Sequence, residues 1–269
     1  ELVRSKTFSD TKDNNTIRLS SLERAVGLER ELLPAKPLFD SLPHLIPRIQ
    51  ENTIADTILS AQWPVLIHAA GGVGKSVLAQ RLPELLPLNS EAVIFDGFAR
   101  GAYRSPLDRR HKHELGLVQI ANTLATRGLC DILLPTSASE EAYLLAFRYR
   151  LEQAVAAVRS RSSDAILLIV LDAADNSVKA SQIHHDRCFI SALLQDPPPE
   201  GCRIVALARS HRVDDHLHPS SQVIRIPLQP FSVDESGEHL RGKFPDASDE
   251  DIEAFHRFTD NNPRVQANA

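Results

Sequence analysis

The sequence predicts an α/β fold, a mainly parallel five-stranded sheet with helices on both faces, followed by the beginning of a helical lid. Three observations predict it. Short apolar runs alternate with segments of helical period, the pattern of strand–helix–strand crossovers. One of those runs, Val65-Leu66-Ile67-His68-Ala69, passes directly into Ala70-Gly71-Gly72-Val73-Gly74-Lys75-Ser76-Val77 and then into a helix. A third run, Leu-Leu-Ile-Val-Leu at 167–171, is apolar on both faces and ends in Asp172. A carboxylate at the carboxyl end of a strand covered on both faces lies where ligands bind in open α/β sheets.

Taken in order, residues 1–21 are polar and weakly patterned, a linker or arm. Residues 22–60 carry a helical pattern cut by Pro34, Pro37, Pro43 and Pro47, which limits them to short helices flanking the site. The core is expected over 61–228 and the lid over 229–269. Within the core the strands fall at 64–69, 92–95, 165–171, 203–208 and 223–226. A helix starts at Lys75 and is shortened or kinked by Pro83. The segment 96–112 reads as a long polar loop with Arg100, Arg104, Arg109, Arg110, His111 and Lys112, and His113 follows; such a cluster suits phosphate or a partner protein, or is simply solvated. Helices follow at 113–128 and 139–160, the second amphipathic through Tyr143, Leu144, Phe147, Leu151, Val155 and Val158. One more is expected at 182–195, before Pro197-Pro198-Pro199. The lid reads as helices at 233–243 and 248–259, with another beginning near Pro263.

The glycine-rich turn is a phosphate-binding loop. Gly71, Gly72 and Gly74 let successive backbone N–H groups converge on phosphate oxygens, and the helix that follows adds its positive N-terminal dipole. Lys75 reaches the β- and γ-phosphates and Ser76 ligates Mg²⁺. Ala69 stands where the usual pattern has its first glycine, so the turn must start through an ordinary backbone conformation. ATP with Mg²⁺ is the expected ligand.

Three further residues complete the expected site. Asp172 reads as the acid that holds the metal through water. Asp175, three residues on, is placed to orient or deprotonate a water; both acids also suit a helix cap. Arg209 ends the fourth strand at the level where a γ-phosphate can be sensed.

Composition narrows the classes. The 269 residues are 42% hydrophobic, ample for a core, and the net charge of −5 gives no bulk basic field for nucleic acid or membrane. The three cysteines, Cys130, Cys188 and Cys202, form no C-x-x-C pair and read as reduced thiols of a cytoplasmic protein. No run approaches the length of a membrane span, and no secretory leader is evident. With no methionine, a polar start and an end inside a helical pattern, the chain reads as a piece of a longer protein.

The glycine loop, Asp172-Ala-Ala-Asp175-Asn176, Arg209, Ile226-Pro-Leu-Gln-Pro-Phe231 and Asn262-Pro263-Arg264-Val265 occur in the order found in STAND NTPases, the signal-transducing ATPases that include NACHT proteins. Over 22–269 the chain resembles the antiviral Avs group of bacterial STAND proteins most closely. The resemblance implies strand order 5-1-4-3-2 and an ATP-driven switch between an N-terminal effector and a C-terminal sensor. A viral protein would bind the sensor, and the subunits would assemble into an oligomer, a tetramer, with no nucleic acid bound by this domain. It also implies that Pro263 packs near the adenine and that Arg24, Gly27 and Arg30 flank the base, although Val26-Gly27-Leu28-Glu29-Arg30 departs from the usual Gly-Arg-Glu. Asn176 stands where many NACHT proteins have Glu, which argues against fast hydrolysis. A continuously cycling housekeeping ATPase and a non-hydrolysing scaffold share the same residues and stay open as alternatives.

Overall fold

The computed structural model describes residue 27 and residues 31–39, 46–136 and 138–269. Arg24 and Arg30 fall outside the described residues. Gly27 is exposed, with φ 62°.

The elements run α1 (Glu51–Ser60), β1 (Val65–Ala69), α2 (Lys75–Arg81), β2 (Glu91–Asp96), α3 (His113–Ala125), α4 (Glu140–Arg159), β3 (Leu167–Asp172), α5 (Ala174–His184), α6 (Phe189–Leu193), β4 (Cys202–Arg209), β5 (Ile224–Pro227), α7 (Val233–Lys243), α8 (Asp249–Phe258) and α9 (Pro263–Asn268). The five strands form one sheet in the order β2-β3-β4-β1-β5 with every pairing parallel, as expected. Pro83 acts as its missing N–H dictates: α2 stops at Arg81 and gives way to a 3₁₀ turn, Leu82–Leu85.

Period-two alternation divides the sheet's side chains between two cores. Leu167, Ile169 and Leu171 of β3, with Leu66 of β1 and Ala206 of β4, face α3, α4 and α6. Leu168 and Val170, with Val65, Ile67, Val205 and Leu207, face α1 and α2 through Ile54, Ile58, Leu78 and Leu82. The amphipathic stripe of α4 is buried at Tyr143, Phe147, Leu151, Val155 and Val158. Gly116 lets α3 touch α6, because a Cβ there would overlap the Phe189 ring, which itself packs edge-on against Phe95 with centroids 5.1 Å apart.

Two expectations need correction. The single helix over 182–195 is in fact α5 and α6, and α5 begins as early as Ala174. Its first turns bury Asp175, Asn176, Ser177 and Ser181, polar residues that hide the helix from any hydrophobic period. The break comes at His185, in the left-handed region at φ 56°, after which Asp186 is drawn to Arg109 and His111. The segment 96–112 is not a free polar loop. It contains a 3₁₀ turn, Ala99–Arg104, and it buries Tyr103, Arg110 and His111. The Arg110 guanidinium grips Asp108 and donates to the Asp96 carbonyl at 2.8 Å, and His111 Nε2 lies 3.1 Å from Asp186 Oδ2. Arg110 and His111 act as internal struts.

Among the described residues no helix is long and apolar enough to cross a membrane, and all three cysteines are free.

Candidate nucleotide site

The site lies at the carboxyl ends of β1, β3 and β4. Parallel register sets Ala69 beside Arg209, and Asp172 beside Asp96. The glycine loop leaves β1 and enters α2 through Gly72 at φ 85° and Gly74 at φ 98°, conformations open to glycine and costly for other residues. Val73 is buried and anchors the loop, while Ala70 and Gly71 are exposed.

Lys75 folds back over this loop. Its Nζ donates to the carbonyls of Ala69 at 3.0 Å and Ala70 at 2.7 Å. Burial lowers its pKa to about 8, against the pull of Asp175 and Asp172, and the Arg209 and Arg264 guanidiniums add to the lowering. An ammonium held so near its deprotonation point gains strongly from an arriving polyanion.

Asp172 is buried at the end of β3 and accepts a hydrogen bond from Ser76, the first-turn hydroxyl of α2. Burial pushes its pKa up to about 6, and the adjacent Asp96 charge adds to the rise. Asp96 itself is consumed by structure: its carboxylate accepts the N–H groups of Phe98, Ala99 and Leu38. A hydroxyl and a buried, under-compensated carboxylate facing each other fit a hard divalent cation such as Mg²⁺. Ala173, at φ 53°, makes the sharp turn from β3 into α5.

Asp175 does not cap α5, whose N-cap is Ala173. It is 1% exposed and bridges to the end of β4, accepting from the Arg209 backbone N–H at 3.3 Å and from Arg212 Nη1 at 2.9 Å. Arg212 also reaches Asn176 Oδ1 at 3.1 Å. The Arg209 side chain is half-buried at the loop's edge and makes no hydrogen bond to any described residue.

The N-terminal end of α9, in the segment expected to be a lid, sits directly on the loop. Asn262 Nδ2 donates to Gly71 O at 3.0 Å, and the Arg264 backbone N–H donates to Gly72 O at 3.1 Å. Pro263 stands between them at the first turn of α9. Lys75, Ser76, Asp172, Asp175, Arg209 and Pro263 thus converge.

Sequence reasoning missed Arg48 and Arg212 and gave Asn262 no role. Arg48 is buried behind the loop. It donates to Val73 O at 2.9 Å and Gln229 O at 2.6 Å, pairs with Glu235 at 2.9 Å, and stacks 4.8 Å from the Phe231 ring centre. The signal was present: a lone arginine inside the apolar stretch Leu45-Ile46-Pro47-Arg48-Ile49 must find buried partners if that stretch folds inward.

A parallel sheet in this order, with a glycine nest after β1 and a carboxylate at the end of β3, defines the P-loop NTPase fold. No family model and no curated protein matches the chain. Among solved structures, it is similar to the Walker-type ATPase of Pyrococcus abyssi at 14% identity and TM-score 0.57, covering 88% of this chain and 69% of that one. Weaker likenesses, both at 15% identity and TM-score 0.41, are to the Aeropyrum pernix Orc1 protein in complex with DNA and to a Pyrococcus horikoshii STAND protein with a tetratricopeptide repeat sensor. The first covers 76% of this chain and 52% of that one, and the second covers 87% and 30%.

Proposed function

We propose that this chain is the ATP-binding, slowly hydrolysing switch domain of a cytoplasmic STAND-class antiviral protein, whose nucleotide state controls assembly once a sensor outside this chain meets a viral protein. The observation that carries the nucleotide part is the convergence of Lys75, Ser76 and Asp172 on the mouth of the glycine nest. Defence, tetrameric assembly and the viral trigger rest on the sequence resemblance.

In this reading the loop N–H groups receive the phosphates, and Lys75 exchanges the Ala69 and Ala70 carbonyls for β- and γ-phosphate oxygens. Ser76 and Asp172 hold Mg²⁺, which supplies charge neutralisation between the phosphates. Arg209 senses the γ-phosphate, Asp175 orients the attacking water, and Pro263 with Arg30 flanks the base. The ion pair between Asp175 and Arg212 favours slow turnover, because a carboxylate neutralised by a guanidinium is a poor base.

Calorimetric titration with Mg²⁺-ATP, paired with a phosphate-release assay, tests the proposal. We expect binding by the wild type, loss of binding in folded Lys75→Ala, and turnover well under ~1 s⁻¹, below the usual enzyme range. Tight Mg²⁺-ATP binding by Lys75→Ala would refute the site, and turnover of many ATP per second would favour a housekeeping motor. Nucleotide retained without any hydrolysis would favour a scaffold.

A further inference from the structure

Peptide groups are rigid planes, so fixing a carbonyl oxygen on one side aims the following N–H to the other. A phosphate nest requires its N–H groups inward and therefore its carbonyls outward. Here consecutive carbonyls from Ala69 to Val73 each have a donor. Lys75 takes Ala69 and Ala70, Asn262 takes Gly71, the Arg264 backbone takes Gly72, and Arg48 takes Val73. The Lys75 bonds are the ones an arriving phosphate would replace. The other three orient the N–H groups of Gly72, Val73 and Gly74, and two of them come from the lid.

We propose that Asn262 is a positioning residue for the phosphate loop: its carboxamide clamps the Gly71 peptide and thereby links docking of the lid to affinity for the phosphate chain itself. This deepens the nucleotide-binding reading and rests on it. Asn262 does two separable jobs. Its Oδ1 accepts the Arg264 N–H at 3.0 Å and caps α9, while its Nδ2 donates to Gly71. The approach is as close as the backbone permits, since a Cβ on Gly72 would lie 2.6 Å from Asn262 Oδ1. An undocked lid would release the Gly71 and Gly72 carbonyls together, leaving the nest free to disorder.

The two jobs can be separated by substitution. Asn262→Asp keeps the cap and the size but has no donor for Gly71. Asn262→Ala removes cap and donor without adding charge. Affinities for Mg²⁺-ATP and for inorganic tripolyphosphate with Mg²⁺, a probe that has no base, are measured by displacement of a fluorescent ATP analogue. Both variants should lose about fivefold to tenfold for both ligands, the factor carried by one hydrogen bond. Asn262→Ala decides the matter if Asn262→Asp folds poorly. Unchanged tripolyphosphate affinity in Asn262→Ala overturns the clamp, because the lid would then serve the base alone or the Asp effect would be only its charge. A wild-type protein that binds neither ligand removes the nucleotide reading itself, an outcome distinct from a binding wild type matched by its variants.

Discussion

The guanidinium of Arg212 stands 2.9 Å from the carboxylate of Asp175, and the acid is 1% exposed. Arg212 follows β4 and Asp175 opens α5, so this pair ties the start of α5 to the strand that carries Arg209. Arg212 also holds Asn176, which keeps the first turn of α5 in register with the end of β4.

Breaking the pair should have opposite effects on turnover, depending on which partner is lost. Asp175→Asn removes the group proposed to act on water, and kcat should fall about 100-fold with ATP affinity kept. Arg212→Gln frees the carboxylate, and kcat should rise by up to about tenfold, the worth of one charge-assisted hydrogen bond. It should also lower stability, because a buried carboxylate loses its partner. Steady-state phosphate release with a parallel thermal melt reads both. A fall in kcat for Arg212→Gln matching that of Asp175→Asn would mean that Arg212 orients the acid.

Lys75 should make the proposed phosphate binding sensitive to alkali. Its ammonium has a pKa lowered to about 8 from 10.5, chiefly by burial. Above pH 8 the free protein sheds that proton, and binding must take it back. Mg²⁺-ATP affinity should therefore weaken as the pH rises from 8 to 10, by up to about tenfold per unit, with proton uptake on binding. Titrations in buffers of different ionisation enthalpy measure both quantities. Flat affinity across this window would show that Lys75 keeps its charge while folded over the Ala69 and Ala70 carbonyls.

The glycine loop, the apolar strands and the acid ending β3 were legible in the sequence because each follows from chemistry local in the chain. A nest needs glycines, a strand covered on both faces needs unbroken apolar residues, and a ligand-facing acid needs a strand end. Asn262, Arg48 and Arg212 were not legible in their roles. Each acts on a partner brought near by the fold: Asn262 is 191 positions from Gly71, and Arg48 is 187 from Glu235. The early start of α5 was hidden for a different reason, since its buried face is polar, and Asp175 and Asn176 on it are met by the Arg209 N–H and the Arg212 guanidinium at the end of β4 and the turn after it.

Asp172 should weaken the unliganded protein at neutral pH. The folded chain binds its proton more tightly than the unfolded chain, with a pKa pushed up to about 6 from 3.8 by burial. The group's contribution to stability is therefore full below pH 4 and is lost as the pH climbs through 6. Asp172→Asn escapes that loss. It should be roughly 2–3 kcal/mol more stable than the wild type at pH 7 and nearly equal to it at pH 4. The same variant should lose the Mg²⁺ dependence of nucleotide binding. Urea unfolding at the two pH values, with ATP titrations with and without Mg²⁺, checks both. A destabilised Asp172→Asn at pH 7 would mean that the Ser76 bond outweighs desolvation of the charge.

Arg48 should prove the most costly single residue to remove behind the loop. Its Nε meets Glu235 Oε1 at 2.9 Å, while its two terminal nitrogens serve Val73 O, Gln229 O and Pro230 O. Glu235 is committed as well, since it completes the capping box of α7 with Ser232 and accepts the Ile49 N–H. Both side chains are almost fully buried, so deleting the arginine strands a carboxylate and several carbonyls away from water. Arg48→Ala should cost about 3–5 kcal/mol, the usual penalty for breaking a buried pair. Arg48→Lys should recover little, because one ammonium cannot span a loop carbonyl, the chain after β5 and a carboxylate at once. Glu235→Gln keeps the shape and most of the hydrogen bonds, so in an Arg48→Ala background its added cost should shrink; that non-additivity is the signature of a shared ion pair. Urea unfolding of the two single variants and the double variant measures the coupling. Additive costs, or an Arg48→Ala protein within about 1 kcal/mol of wild type as for an ordinary surface pair, would show that the lid is held to the loop by Asn262 and α9 alone.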